Sequence, residues 1–203
     1  MGKLSGGSVV TQTNASPEQR VNALKTTLED KKLIPEGALE QVVHDYEKEI
    51  NWHNGAKVVA RAWLDPEYRK SLLYDGTAAC AQLGFEGIQG EYIVALECLP
   101  NTHHAVVCTQ CSCTPWPVLG LPPTWYKSLE YRARVVRNSR QVLHELGLDL
   151  PSNVNIQVWD TTAETRYIVL PLQPIETIGW SEEELLKIIS RESMFGIAQV
   201  IAR

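Results

Sequence analysis

Tyr92-Ile93-Val94-Ala95-Leu96-Glu97-Cys98 and Ala105-Val106-Val107-Cys108 are short apolar runs rich in β-branched residues, set among Gly90, Pro100 and Asn101. Runs of that composition and length read as strands. Asn155 to Asp160 and Arg166 to Leu170 carry the same pattern further along. Between these two pairs, Ser128 to Leu146 reads as a helix stopped at Gly147, and Ser181-Glu182-Glu183-Glu184 opens a last helix with a capping box.

Upstream of Gly90 the period changes. Ser16-Pro17-Glu18-Gln19 has a Ser cap, a proline at the first helical position and a Gln three after the cap, and Val21, Leu24 and Leu28 follow on one stripe. After Pro35, helical spacing returns at Leu39, Val42, Val43, Tyr46 and Ile50, and again at Val58, Val59, Ala62 and Trp63, until Asp65-Pro66 restarts the chain. The expected fold is α+β. A flexible leader (1–15) precedes a helical N-terminal arm (16–88), and a layered α/β domain (89–203) carries the cysteine loop. No internal repeat is visible.

A chain of 203 residues with 44% apolar and 21% charged residues can bury a core. Its net charge of -5, without a Lys/Arg run, gives no reason to expect a nucleic acid partner. Neither a membrane span nor a secretory signal is readable, so no membrane association and a cytoplasmic location are expected.

The five cysteines stand at 80, 98, 108, 111 and 113. Three crowded thiols in a cytosolic setting point to metal or redox chemistry rather than a disulfide scaffold. Cys108-Thr109-Gln110-Cys111-Ser112-Cys113 can aim its sulfurs at one point if the chain turns tightly, and Pro115 and Pro117 keep a helix from running through it. Structural zinc, an iron-sulfur cluster, redox thiols and a catalytic trivalent metal are the four readings. Zinc needs a fourth ligand from Cys80, Cys98, His103 or His104, and the spacing matches neither common ferredoxin run. Cys-Ser-Cys also offers a chelate. The sulfur and amide nitrogen of Cys113 close one five-membered ring, the Ser112 amide a second, and the Cys111 sulfur a six-membered one. Deprotonated amides suit Co(III) or Fe(III), with Cys108 on the axis and the opposite position open.

The run from Val107 through Cys108-Thr109-Gln110-Cys111-Ser112-Cys113-Thr114-Pro115-Trp116-Pro117 to Lys127 closely resembles the metal loop of nitrile hydratase alpha subunits. The likeness extends to Tyr131–Arg137, Trp159–Glu164, Arg166–Pro171, Asn54–Ala60 and Gln89-Gly90-Glu91. The resemblance implies an enzyme that hydrates nitriles to amides, a hydro-lyase. It implies Cys108, Cys111 and Cys113 as sulfur ligands, the Ser112 and Cys113 amides as equatorial donors, and one non-corrin Co(III) or non-haem Fe(III) per chain. Cys111 is expected as a sulfinate and Cys113 as a sulfenate, standard rungs of thiolate oxidation.

Cys113, Ser112 and Gln89 are the residues this assigns to the chemistry, in which the open position polarises the nitrile or activates a water, or the Cys113 sulfenate attacks. Thr109, Trp116, Asp160, Glu164 and Arg166 are expected to support the loop, the last three as a salt-bridged group behind it. The resemblance also implies a beta subunit in an αβ heterodimer, assembled as α2β2, and a metallochaperone or activator. Because the loop offers no arginine before Arg132, cations for the oxidised cysteines are expected from the beta chain.

Gln110, where the family usually has leucine, and Cys98-Leu99-Pro100, where it has Asn-Thr-Pro, are departures that leave the chelate intact. Thr109 favours cobalt and Thr114 fits the iron class better; cobalt is the expected metal. His103 and His104 read as structural, and Cys80, between alanines, as a small buried residue. The rivals are a thiocyanate hydrolase-type subunit and a non-catalytic zinc-binding module.

Overall fold

A computed structural model describes residues 15–48 and 50–202, so the leader expected over 1–15 lies, up to residue 14, outside the described residues. The chain divides into two compact units between His44 and Asp45. In the first, α1 (Pro17–Asp30) starts as its sequence dictates: the Gln19 amide donates to Ser16 Oγ at 3.2 Å and the Ser16 amide to Gln19 Oε1 at 2.9 Å. Both halves of the capping box are therefore made. None of its residues is buried; Val21 and Leu24 are 54% and 60% exposed. Helix α2 (Ala38–Lys48) crosses the division and leaves Val42 and Val43 exposed. It stops short of Ile50, which lies beyond the stripe assigned to it.

The second unit is built around α3 (Trp52–Leu64), capped by Asn51, whose Ala56, Val58, Val59, Ala60 and Ala62 are buried. Asp65 ends it and caps α4 (Pro66–Tyr74) by accepting the Glu67 and Tyr68 amides at 3.0 and 3.1 Å. Asp75 does the same for α5 (Gly76–Gln82). These helices share one core with Val107, Cys108, Val118, Leu119, Ile168 and Phe195. The division thus falls at 44/45 and not at the 88/89 boundary between the expected arm and the expected α/β domain: α3 to α5 have too much apolar surface to stand apart from the strands they cover.

The strands β1 (Ile93–Glu97) and β2 (Thr102–Val107) are followed by α6 (Trp116–Leu119), α7 (Leu129–Val135) and α8 (Ser139–Glu145), then β3 (Asn155–Asp160), β4 (Arg166–Leu170) and α9 (Glu182–Leu186). They form two parallel pairs, β1 with β4 and β2 with β3. Parallel neighbours need long crossovers, and the segment holding α6 to α8 supplies one. Register does the positioning: Val107 faces Asp160 and Ile93 faces Arg166. The end of β3 is thereby delivered to the start of the cysteine loop, and Arg166 to the segment after Gly90.

The single helix expected over 128–146 is two. The amides of Arg137 and Asn138 both turn back to the Arg134 carbonyl, and Asn138 leaves helical geometry at φ -133°, ψ 49°. A short amide side chain that competes with the helix backbone tolerates such a break. The stop at Gly147 is present, with φ +89°.

Candidate metal centre

Cys108 follows the last residue of β2 and is 1% exposed. The chain must then reverse, and Asp160 holds it: its carboxylate accepts the Thr109 amide at 2.9 Å and the Thr109 hydroxyl at 2.5 Å. The turn brings the Cys111 amide to Cys108 Sγ at 3.3 Å. Cys108 and Cys111 Sγ are 3.5 Å apart, Cys111 and Cys113 Sγ 2.9 Å apart, and all three sulfurs lie within 4.8 Å of one another. Exposure rises outward, from the buried Cys108 to the half-buried Cys113 and the exposed Cys111.

The loop carbonyls are held from several directions. Tyr126 Oη and Thr161 Oγ1 donate to the Cys113 carbonyl at 3.3 and 3.4 Å, and Arg132 Nη1 donates to the Cys111 carbonyl at 2.7 Å. Thr114 Oγ1 bonds the Gly120 carbonyl at 2.9 Å and closes the loop behind the cysteines. Thr161 and Tyr126 lie in the runs that carry the resemblance, but nothing in their residue types singled them out as contacts of the loop. Only the β2–β3 register and the 3-10 turn Trp125–Lys127 bring them to the loop.

Charge in the cluster is uneven. Burial pushes the Cys108 thiol up, but the Thr161 hydroxyl and the amides of Cys113 and Cys111 outweigh it and bring its pKa down to about 7. Cys113 moves the other way, raised to about 11 by burial and by the neighbouring Cys111 thiol against the pull of Arg166. Cys108 is thus the natural anionic anchor, with the Cys111 amide donating to its sulfur at 3.3 Å. The chemistry of this donor set fits a trivalent ion: three convergent sulfurs, with the Ser112 and Cys113 amides lying between the last two of them in sequence.

Gln89 sits in the left-handed region at φ +65°, and its Oε1 accepts Arg166 Nη2 at 2.5 Å. Arg166 is buried, also bonds the Thr162 carbonyl, and keeps Nε without a partner. The expected salt-bridged group does not form: among the described residues no ion pair joins Asp160, Glu164 and Arg166. Asp160 is spent on Thr109. Glu164 is exposed in a turn, where its amide and that of Thr165 donate to Thr162 Oγ1 at 3.2 and 2.9 Å. Trp116 is half-buried against Tyr46, ring centroids 5.3 Å apart. His103 and His104 are not brought to the cysteines. His103 Nε2 donates to the Gly196 carbonyl at 2.7 Å, and His104 Nδ1 accepts Trp159 Nε1 at 2.9 Å. Cys80 is fully buried, its thiol pushed up to about 12. Gln110 is exposed.

Because Asp160 fixes both polar groups of Thr109, Asp160→Ala is expected to loosen the turn while leaving β3 paired. Groups that orient ligands typically account for about 10–100-fold in metal affinity. Metal content after dialysis against a chelator should fall accordingly, with the far-ultraviolet dichroism unchanged.

The model of the nitrile hydratase alpha chain matches residues 15–198. The high-molecular weight cobalt-containing nitrile hydratase subunit alpha of Rhodococcus rhodochrous is 54% identical over 185 residues, 91% of each chain. A solved double mutant of the Fe-type nitrile hydratase from Comamonas testosteroni Ni1 superposes with a TM-score of 0.85 at 43% identity, covering 93% of this chain and 92% of that one. Thiocyanate hydrolase subunit gamma of Thiobacillus thioparus is 43% identical over 169 residues, 78% of this chain and 70% of its own. With a cysteine cluster able to hold a metal and a family match across nearly the whole described chain, this protein belongs to the nitrile hydratase alpha-chain family.

Proposed function

We propose that this chain is the metal-bearing half of a nitrile hydratase, converting nitriles to amides. The observation that carries the reading is the convergence of the Cys108, Cys111 and Cys113 sulfurs within 4.8 Å of one another. Those three sulfurs and two amide nitrogens would hold the ion. Cobalt is favoured over iron, in keeping with Thr109 and with the cobalt-containing relative. When bound, a trivalent ion supplies a strong Lewis acid beside which charge developing on the substrate is stabilised.

The chain's own residues do the rest. Asp160 and Thr109 fix the turn, and Tyr126, Thr161 and Arg132 hold the carbonyls still. Since Arg166 occupies Gln89 Oε1, the amide NH2 of Gln89 is the group turned to orienting nitrile or water. Exposure supports oxidation at Cys111, to the sulfinate, and at Cys113, to the sulfenate, with the buried Cys108 left as a thiolate.

A beta subunit completes the site. The cluster opens outward at Cys111, and α1 and α2 leave Val21, Leu24, Val42 and Val43 uncovered, the signature of an interface. An α2β2 assembly, an activator protein for metal loading and a cytoplasmic location follow the same reading. Among the described residues no helix is long and apolar enough to cross a membrane.

The test is a nitrile-to-amide assay on the complex co-expressed with its beta chain and on this chain alone. Amide is expected from the complex, with little from the isolated chain, which should also aggregate. A monodisperse, fully active isolated chain would contradict the partnership, and turnover of thiocyanate with no turnover of nitrile would move the assignment to the thiocyanate hydrolase reading.

A further inference from the structure

We propose that Arg132, from α7, is an in-chain counter-cation of the metal site, a positioning residue that balances the negative charge of the ligand set. The inference rests on the metal reading above. Arg132 reaches back across 21 positions to put Nη1 2.7 Å from the Cys111 carbonyl. Its Nε is buried and has no acceptor, and among the described residues no carboxylate pairs with it. Arg134, on the same helix, is the contrast: it pairs with Glu130 at 2.9 Å and Glu145 at 2.6 Å.

A partly desolvated guanidinium with no carboxylate is costly unless another negative group faces it. The ligand set provides one. Three thiolates and two deprotonated amides around a trivalent ion leave two negative charges, and oxidation of a thiolate to sulfenate or sulfinate does not remove them. The contact is also specific in kind. The carbonyl that Arg132 touches is the acyl half of the Cys111–Ser112 peptide, whose nitrogen is one of the equatorial donors. A deprotonated amide shares its charge between nitrogen and oxygen, so the guanidinium sits at the oxygen end of a ligand. Charge-assisted bonds of this kind are about twice as strong as neutral ones. Sequence reading sought such cations in the partner because α7 is remote from the loop in sequence; the fold brings one back within the chain.

The test compares Arg132→Gln, which keeps a donor and loses the charge, with Arg132→Lys, which keeps the charge, each co-expressed with the beta chain. Two readouts are taken, the rate of metal loss to a chelator and the sulfur-to-metal charge-transfer band. Arg132→Gln is expected to lose metal about tenfold faster, in the range typical of groups behind metal ligands, and to shift the band. Arg132→Lys should stay close to wild type, as should the control Arg134→Gln. Wild-type behaviour in Arg132→Gln would overturn the proposal, as would equal loss in the Lys and Gln variants, which would mark a purely structural fork. If Arg132→Gln fails to fold, the Lys variant still tests the charge: faster metal loss or a shifted band in Arg132→Lys would overturn the proposal. A wild-type complex holding neither cobalt nor iron would overturn the metal reading itself, and this inference with it.

Discussion

Replacing Cys113 with alanine is expected to strip the metal from this chain. The substitution removes one sulfur and, with it, the five-membered ring that this sulfur closes with its own amide. The Cys111 sulfur then loses its neighbour at 2.9 Å, and the remaining donors no longer surround a centre. Cys108→Ala removes the buried anchor at which the Cys111 amide points, and Cys111→Ala removes the bridge between the other two sulfurs. Each variant should retain less than about a tenth of the wild-type metal per chain, since disturbing even the groups behind ligands costs about 10–100-fold. Cys80→Ala is the control, because Cys80 is enclosed in the helical core and, among the described residues, contributes to no ligand cluster. Metal-to-polypeptide ratios on the purified complexes decide the matter; full occupancy in Cys113→Ala would rule out the chelate.

The largest effect on stability is expected at Gly196. The 3-10 turn Glu192–Phe195 ends there at φ +75°, and a Cβ on Gly196 would fall 1.8 Å from the His104 carbonyl oxygen and 2.9 Å from Ala105 Cα. Both are backbone of β2. The Gly196 carbonyl in turn accepts His103 Nε2 at 2.7 Å, so turn and strand interlock. Left-handed geometry costs a non-glycine residue about 1–2 kcal/mol, and the overlap cannot be relieved without moving the strand that leads to Cys108. Gly196→Ala should therefore cost about 4 kcal/mol or more, the range reserved for severe steric conflict. In a chain of this size that corresponds to a fall of about 8–16 °C in Tm, or to insoluble protein. A thermal scan within a degree or two of wild type would show that β2 has more freedom than its packing implies.

The features legible in the sequence were those whose physics is local. The sulfur cluster lies within six consecutive positions, so Cys108, Cys111 and Cys113 pointed to it without a fold. The caps at Ser16 and Ser181 were readable for the same reason, since each closes on a residue three positions away. The strand runs were readable from composition, but not their pairing: nothing in Val107 or Asp160 names the other, and the parallel register follows from the helices between them. The break at Asn138 was hidden because its flanks keep helical spacing. The place of α3 to α5 was hidden because helical period says nothing of what a helix packs against. Asp160, read as part of an ion pair, proved to be the anchor of Thr109, and Arg132 proved to be a contact of the loop. In each case the deciding partner lay far along the chain.

Elemental analysis of the complex of this chain with its beta subunit, after exhaustive desalting, bears most directly on the trivalent-metal centre. About one cobalt or iron per chain is expected, because three sulfurs within 4.8 Å and the two intervening amides make a single compact site. Stoichiometric zinc, with cobalt and iron both absent, would contradict it.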